Sequence, residues 1–199
     1  MENKKENWFV ANRFVIGAFV CTAIIMCITY ILRHVYPFGD QIVLKVDLYH
    51  QYAPFHEELR SRILNGQSLL YSWEGGLGKE FVTQMAYYTA SPISFLILLF
   101  PQKLLPEALA FFILASFFSY YLKEHFKKND LSILIFGLLY AFTAFMTGYY
   151  WNVMWLDSVA LFPIVALGVE RLIHENKHIL YYVAITLTMI VNFYMAGLF

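Results

Sequence analysis

The feature that most constrains this chain is an unbroken apolar run over residues 14–32, which contains no Asp, Glu, Lys or Arg. A helix of this length extends about 28 Å at 1.5 Å per residue, close to the roughly 30 Å hydrocarbon core of a bilayer. The run ends at Arg33 without the small residues of a cleavage site. It is therefore predicted to be a retained membrane anchor rather than a signal peptide.

Composition extends this prediction to the rest of the chain. Hydrophobic residues make up 60% of it and charged residues 14%, against about 45–50% and about 25% in soluble domains. The formal net charge is zero, which gives no indication of a nucleic-acid partner. The predicted fold is all-α, a polytopic bundle of about five transmembrane helices with a long helical first extracytoplasmic loop.

Apolar segments and prolines divide the chain into four parts. They are a cytoplasmic N-terminus (1–13), the first transmembrane helix (14–32), an extracytoplasmic loop with a juxtamembrane segment (33–106), and transmembrane helices two to five (107–199), with spans at 107–122, 131–149, 158–173 and 179–199. Residues 92–100 are apolar, but nine helical residues reach only about 14 Å. They form either a juxtamembrane or re-entrant piece, or the first half of a long helix broken at Pro101.

Basic residues set the predicted orientation. With five spans, three clusters fall on one side, and the positive-inside rule makes that side cytoplasmic: Lys4, Lys5 and Arg13; Lys123, Lys127 and Lys128; Arg171 and Lys177. The 33–90 loop then lies outside. The chain stops within or at the outer end of the last apolar run, so it is expected to be the truncated N-terminal part of a longer protein.

The first candidate for chemistry is the segment 45–55. In an α-helix, Asp47, His50 and Gln51 share a face at i, i+3 and i+4. Such a trio supplies a general base, an orienting partner and a hydrogen-bonding amide. The alternative is an amphipathic juxtamembrane helix whose polar face meets water.

Asp157, which closely follows Trp151 and Trp155, is the second candidate. An ionisable residue at the outer start of a span can face a substrate cavity. It can equally cap the fourth helix, and both roles are compatible.

Other polar features favour structural roles. The glycine-rich segment 73–81 lacks Walker spacing and is predicted to be a flexible loop rather than a nucleotide site. Tyr87 and Tyr88 suit an interfacial belt, with stacking on a sugar ring as the alternative. Asp47, His50 and His56 match no zinc spacing, so no metal site or other cofactor is predicted, and a divalent cation has no support.

Several segments together carry a resemblance. In order they are 47–52 (Asp-Leu-Tyr-His-Gln-Tyr), 76–78 (Gly-Leu-Gly), 87–92 (Tyr-Tyr-Thr-Ala-Ser-Pro), 152–157 (Asn-Val-Met-Trp-Leu-Asp) with Pro163, and 192–194 (Asn-Phe-Tyr). The set is similar to that of the bacterial YfhO membrane protein family, over the N-terminal portion of its longer members. A departure is Lys79-Glu80-Phe81, which replaces a more usual small or Asn-rich sequence.

The resemblance implies a GT-C-type glycosyltransferase in the bacterial cell membrane. Such an enzyme takes a sugar from a polyprenyl-phosphate carrier and transfers it to a cell-envelope polymer, such as teichoic acid in Gram-positive bacteria. Asp47 matches the acidic position of the first outer loop, with His50 and Gln51 beside it as catalytic candidates. The substrate-binding residues expected are Tyr49, Tyr52, Tyr87, Tyr88, Asn152, Trp155 and Asp157.

Two other classes remain open. The interrupted stretch 92–106 is typical of transporters or lipid flippases, which place their sites at broken helices. Against this, the ionisable residues gather at the outer edge, and no inverted repeat is visible. A noncatalytic scaffold for envelope assembly is the third possibility, and it predicts that Asp47 and Asp157 tolerate substitution.

Overall fold

The computed structural model describes residues 7–99 and 109–198 and confirms the all-α prediction. The helices, in chain order, are α1 (Trp8–Ala11), α2 (Arg13–Leu32), a π-helix (Leu48–Tyr52), α3 (Ala53–Leu64), α4 (Phe81–Tyr88), a 3₁₀-helix (Ser94–Leu98), α5 (Leu109–Phe126), α6 (Leu131–Ala141), α7 (Ala144–Gly148), α8 (Val153–Glu175), α9 (Ile179–Val191) and α10 (Phe193–Ala196). A two-stranded antiparallel hairpin, β1 (Tyr71–Ser72) with β2 (Lys79–Glu80), is the one strand pair in these ranges.

Three described helical segments are long and apolar enough to cross a membrane. They are Arg13–Leu32, Leu131–Gly148 and Val153–Glu175, while Ile179–Val191 is apolar but shorter. Only 11% of the first segment is buried inside the protein, against 56% of the third. The first therefore presents its apolar surface outward, as a lipid-facing helix does, and α8 forms the centre of the bundle. The predicted count of five spans is not confirmed.

The bundle is built around α5 and α8. Helix α5 packs against α2, α6 and α8, and α9 returns along α8. A side chain at Gly168 would place its Cβ 2.7 Å from the Cα of Tyr181. Glycine therefore permits the close approach of α8 and α9, a device common in membrane helix packing. Asn176, in the left-handed conformation at φ 53°, ends α8 and reverses the chain.

Local capping explains where the shorter helices begin. Asp130 accepts a hydrogen bond from the amide of Ser132 and starts α6. Thr143 starts α7 after a break at Phe142, and Asn192 starts α10 by accepting from Met195 N. Each cap satisfies an amide that a helix start leaves unpaired.

Two predicted features lie at the edge of the described residues. The second span was predicted to begin at 107, and the described helix begins at Leu109; residues 107–108 lie outside the described residues. The proposed helix break at Pro101 also lies outside the described residues. Residues 94–98 form a single 3₁₀ turn region, which gives no continuous α-helix over 92–99.

Candidate functional site

Residues 33–99, named the outer loop for their predicted location, fold around a buried carboxylate, Glu58 of α3. It accepts hydrogen bonds from Ser72 of β1, from Arg62 Nε (3.0 Å) and from Gln84 Nε2 (3.4 Å), and Lys79 Nζ lies 3.9 Å away. Burial by itself raises the pKa of this carboxyl, but these hydrogen bonds outweigh it and the pKa is lowered. The cluster fastens α3, the hairpin and α4 into one unit.

In the predicted flexible loop 73–81, residues 73–78 connect the two strands of the hairpin and residues 79–80 form β2. Gly76 and Gly78 have φ of 60° and 103°, which only glycine adopts readily. The ammonium of Lys79 lies over the ring of Phe55, 4.9 Å from its centroid. Lys79 therefore contributes to the packing of the outer loop.

Asp47 lies at the start of the π-helix, directly after a strained residue. Val46 has φ of 47°, a conformation that is an outlier for a β-branched side chain. Its carbonyl accepts from the amides of both Tyr49 and His50. Strained backbone of this kind costs of order 1–3 kcal/mol and clusters at functional sites. Here the strain turns the chain so that Asp47 begins the helical segment.

The predicted shared face of Asp47, His50 and Gln51 assumed α-helical spacing. The segment Leu48–Tyr52 is π-helical instead, with i→i+5 hydrogen bonds and a wider turn. Asp47 and Gln51 are half-buried, whereas His50 is exposed and packs edge-on against Tyr49. The α-helical geometry predicted for the trio is therefore wrong, and its proposed chemistry stays a prediction.

Tyr52 joins the outer loop to the bundle. Its hydroxyl donates to Asn152 Oδ1 across 2.8 Å, and both side chains are buried. Burial raises the pKa of Tyr52, and the charge of Asp47 raises it further. Tyr52 therefore stays protonated and remains a donor. Asp47 also contributes to the raised pKa of Tyr88, after burial and Tyr87, so its carboxylate acts on both tyrosines.

Tyr87 and Tyr88 extend this contact toward the last helices. The Tyr88 ring lies 5.7 Å from that of Tyr52, and the Tyr87 ring lies 5.7 Å from that of Phe193. The side chain of Asn192 donates to the carbonyl of Tyr87 across 3.2 Å. Four of the segments that carry the resemblance, those at 47–52, 87–92, 152–157 and 192–194, thus meet at one end of the bundle.

Asp157 is not at the start of its helix. Helix α8 begins at Val153, with Asn152 at the N-cap, so Asp157 lies in the second turn and is buried. The predicted capping role is therefore wrong. Within the described part of the chain, Trp155 Nε1 and Ser158 Oγ are buried without hydrogen-bond partners. Such atoms are rare in folded proteins, and strain, a catalytic role or a bound water or ion are the usual reasons for them.

An apolar cavity of about 360 Å³ lies beside the segments that carry Asp47 and Asp157, although neither acid nor Trp155 is in its lining. That volume is within the usual range for small-molecule sites. Leu48, the neighbour of Asp47, and Leu156, the neighbour of Asp157, both line it. The polar lining consists of Thr29, Tyr30, Tyr36, Thr147 and Tyr150, and the rest is aliphatic or aromatic. One cavity is therefore shared by both acid-bearing segments.

Sequence reasoning missed most of this cavity. Thr29 and Tyr30 are embedded in the first apolar run, where nothing distinguishes them from lipid-facing residues. The sequence also did not predict that His56 links two segments of the loop. Its ring nitrogens contact the carbonyl of Tyr52 (2.7 Å) and Ser94 Oγ (3.3 Å). No group of three His, Cys, Asp or Glu side chains able to hold a metal occurs within residues 7–99 and 109–198.

Comparison with known families identifies the family of this chain. The model of the family described as bacterial membrane protein YfhO matches residues 18–198. The chain belongs to this family. No curated protein and no solved structure matches it. Membership and the three long apolar helical segments together support a membrane location for this YfhO family protein.

Proposed function

We propose that this YfhO family chain is part of a membrane glycosyltransferase. It would transfer a sugar from a polyprenyl-phosphate donor to a cell-envelope polymer, such as teichoic acid, on the outer membrane face. The observation that carries the proposal is the apolar cavity that Leu48 and Leu156 both line. It offers an apolar surface to an isoprenoid chain within one residue of each candidate acid.

The reaction requires one base. Asp47 accepts the proton of an acceptor hydroxyl while that oxygen attacks the anomeric carbon of the donor sugar. The bond from the anomeric carbon to the phosphate oxygen breaks, and polyprenyl phosphate leaves with that electron pair. Phosphate is a competent leaving group, so no second acid is needed. Proton transfer of this kind contributes typically 10²–10⁴-fold to a rate.

The surrounding residues have supporting roles in this proposal. His50 and Gln51 orient Asp47 or the acceptor. Trp155 and Asp157 stay proposed donor-site residues of α8, although Leu156 between them, and neither of the two, lines the cavity. The hydrogen bond from Tyr52 to Asn152 holds the two walls together, and Tyr49, Tyr87 and Tyr88 offer ring faces to sugars.

The base is tested by Asp47→Asn in the full-length protein, with envelope-polymer glycosylation measured in cells. Asp40→Asn is the matched control, because Asp40 is an exposed acid of the same loop. We expect at least a hundred-fold loss for Asp47→Asn and none for the control. Unchanged modification at normal protein level would remove Asp47 from the mechanism. Unchanged modification with impaired lipid export would instead favour a flippase.

The donor cavity is tested separately with a neighbouring pair of residues. Val43 lines the cavity, while Ile42 is 48% exposed and does not. Val43→Trp should fill the cavity and reduce transfer from a long-chain polyprenyl donor, whereas Ile42→Trp should leave it unchanged. Equal activity of the two variants would show that the cavity does not bind the donor.

A further inference from the structure

Two depressions lie side by side at the end of the bundle that carries the basic residues. One, of about 480 Å³, lies between the end of α8 and the start of α9 and has Arg171, Lys177 and His178 in its lining. The other, of about 500 Å³, is an apolar groove formed by α2, α5, α8 and α9. Leu180 and Val183 line both. The two depressions therefore form one continuous surface with a basic end and an apolar end.

The basic end can accept an anion despite its ion pairs. Lys177 lies 2.8 Å from Glu175, but its side chain is 71% exposed. Exposed pairs of this kind contribute only about 0–1 kcal/mol, so an anion can replace the partner. Arg171 contacts Glu124 at 2.7 Å through one terminal nitrogen, and a guanidinium has five N–H donors in all.

The apolar groove gives one lipid tail a track along part of its length. Leu180, Val183 and Leu187 all line it from α9, and the distance from the first to the last along the helix is about 10 Å. Trp8, which is 64% exposed, lies in the lining of the same groove. Tryptophan favours the level of the lipid headgroups, which suits a groove that starts at the membrane surface.

We infer that this joined surface binds one anionic glycerophospholipid. The phosphate lies against Lys177, His178 and Arg171, and one acyl chain follows Leu180, Val183 and Leu187. Basic pockets between transmembrane helices recognise anionic headgroups in this way. A zwitterionic lipid has a matching tail, but its own cation opposes the basic end. The inference is independent of the proposed glycosyl transfer.

The test is native mass spectrometry of the purified protein in detergent, titrated with dioleoyl phosphatidylglycerol. Lys177→Gln should weaken binding about five-fold, since one basic residue near a membrane surface contributes about 1 kcal/mol. Lys127→Gln is the matched control, because Lys127 is 72% exposed and also pairs with a glutamate, Glu124. It lies outside both depressions, so its variant should bind normally.

A second variant and two other probes test the tail site. Val183 is 51% exposed, so Val183→Trp should fold normally while obstructing the groove and weakening binding of the lipid. Dioleoyl phosphatidylcholine and glycerol 3-phosphate should both bind at least ten-fold more weakly than phosphatidylglycerol. Equal weakening by Lys177→Gln and Lys127→Gln, or equal affinity for the two lipids, would overturn the inference. So would glycerol 3-phosphate binding as tightly as the lipid.

Discussion

At the scale of single residues, the contact between Tyr52 and Asn152 connects the outer loop with the central helix. The two residues are 100 positions apart, and both are buried at the end of the bundle where the candidate site lies. The hydroxyl stays protonated because burial and the charge of Asp47 raise its pKa. Removal of the Tyr52 hydroxyl would leave Asn152 Oδ1 buried without this hydrogen-bond donor.

We therefore expect Tyr52→Phe to lower the free energy of unfolding by about 1–3 kcal/mol, the cost of a buried unsatisfied polar group. Denaturation in detergent, followed by circular dichroism, measures it. Tyr49→Phe is the control, because Tyr49 is 56% exposed and its variant should change the value by less than about 0.5 kcal/mol. Equal stability of the two variants would contradict the role of this bond.

A second residue-scale prediction concerns pH. The pKa of Glu58 is lower in the folded chain than its ordinary value of 4.5. The stability due to its ionised form is therefore complete above about pH 4.5 and is lost as the pH falls through the folded-state pKa. In Glu58→Gln this acid-dependent loss should be smaller, and Arg62 should lose its buried counter-charge.

Limited proteolysis of the outer loop at a series of pH values measures this effect. At neutral pH, Glu58→Gln should already be cleaved faster, since breaking a buried ion pair costs about 3–5 kcal/mol. Glu74→Gln, at an exposed position of the same loop, should behave as the unmodified chain does. Identical pH profiles for the Glu58 variant and the unmodified chain would show that the carboxylate is not the acid-sensitive group.

At the scale of elements, the close packing of α5 and α6 depends on Gly137. A Cβ at this position would clash with Ser119 Oγ and lie 2.8 Å from the carbonyl oxygen of Ala115. Ser119 itself is buried and donates to the carbonyl of Ile133 across 3.0 Å. The neighbouring helix backbone therefore leaves no room for a side chain here, as at other small-residue interfaces in membranes.

We expect Gly137→Ala to destabilise the bundle by about 1–3 kcal/mol, the usual cost of overpacking. The thermal midpoint in detergent measures the change. Gly148→Ala is the matched control, because a Cβ there meets no atom within 4 Å. A thermal midpoint for Gly137→Ala equal to that of the control would show that α5 and α6 can move apart without loss of stability.

At the scale of the whole molecule, polar groups are divided between two ends. The outer loop, with Asp47 and the Glu58 cluster, covers one end of the bundle, and the ends of α5 and α8 carry basic residues at the other. There His125 and Tyr121 both contact Glu170 within 2.9 Å. The positive-inside rule predicts that this basic end is cytoplasmic and that the outer loop faces away from the cytoplasm.

Cysteine labelling tests that orientation. In a chain with Cys21→Ala and Cys27→Ala, we place single cysteines by Leu77→Cys, in the hairpin and 98% exposed, and Lys127→Cys, 72% exposed at the basic end. A membrane-impermeant maleimide should label the first in intact cells and the second only after permeabilisation. The reverse labelling pattern would show that the predicted orientation is wrong.

The sequence by itself determined the membrane class and the all-α fold, because an apolar run without charges has few alternatives to a helix in lipid. It determined the family through the ordered set of short motifs. It also identified Tyr52, Tyr87, Tyr88, Asn152 and Asp157 as residues of interest. It did not determine helix starts near Asp157, because propensity alone does not fix where tertiary packing begins a helix. Its α-helical spacing for Asp47, His50 and Gln51 was wrong because Leu48–Tyr52 is π-helical, and the residue types do not distinguish i→i+4 from i→i+5 hydrogen bonding.

Only the tertiary structure decided which of these residues meet. The contact of Tyr52 with Asn152 spans 100 positions of the chain, and that of Tyr87 with Asn192 spans 105. Side-chain periodicity describes one helix at a time, so it carries no information on such distant pairs. The cavity between Leu48 and Leu156 likewise exists only once the outer loop packs on α8, because its wall comes from segments that no local pattern relates.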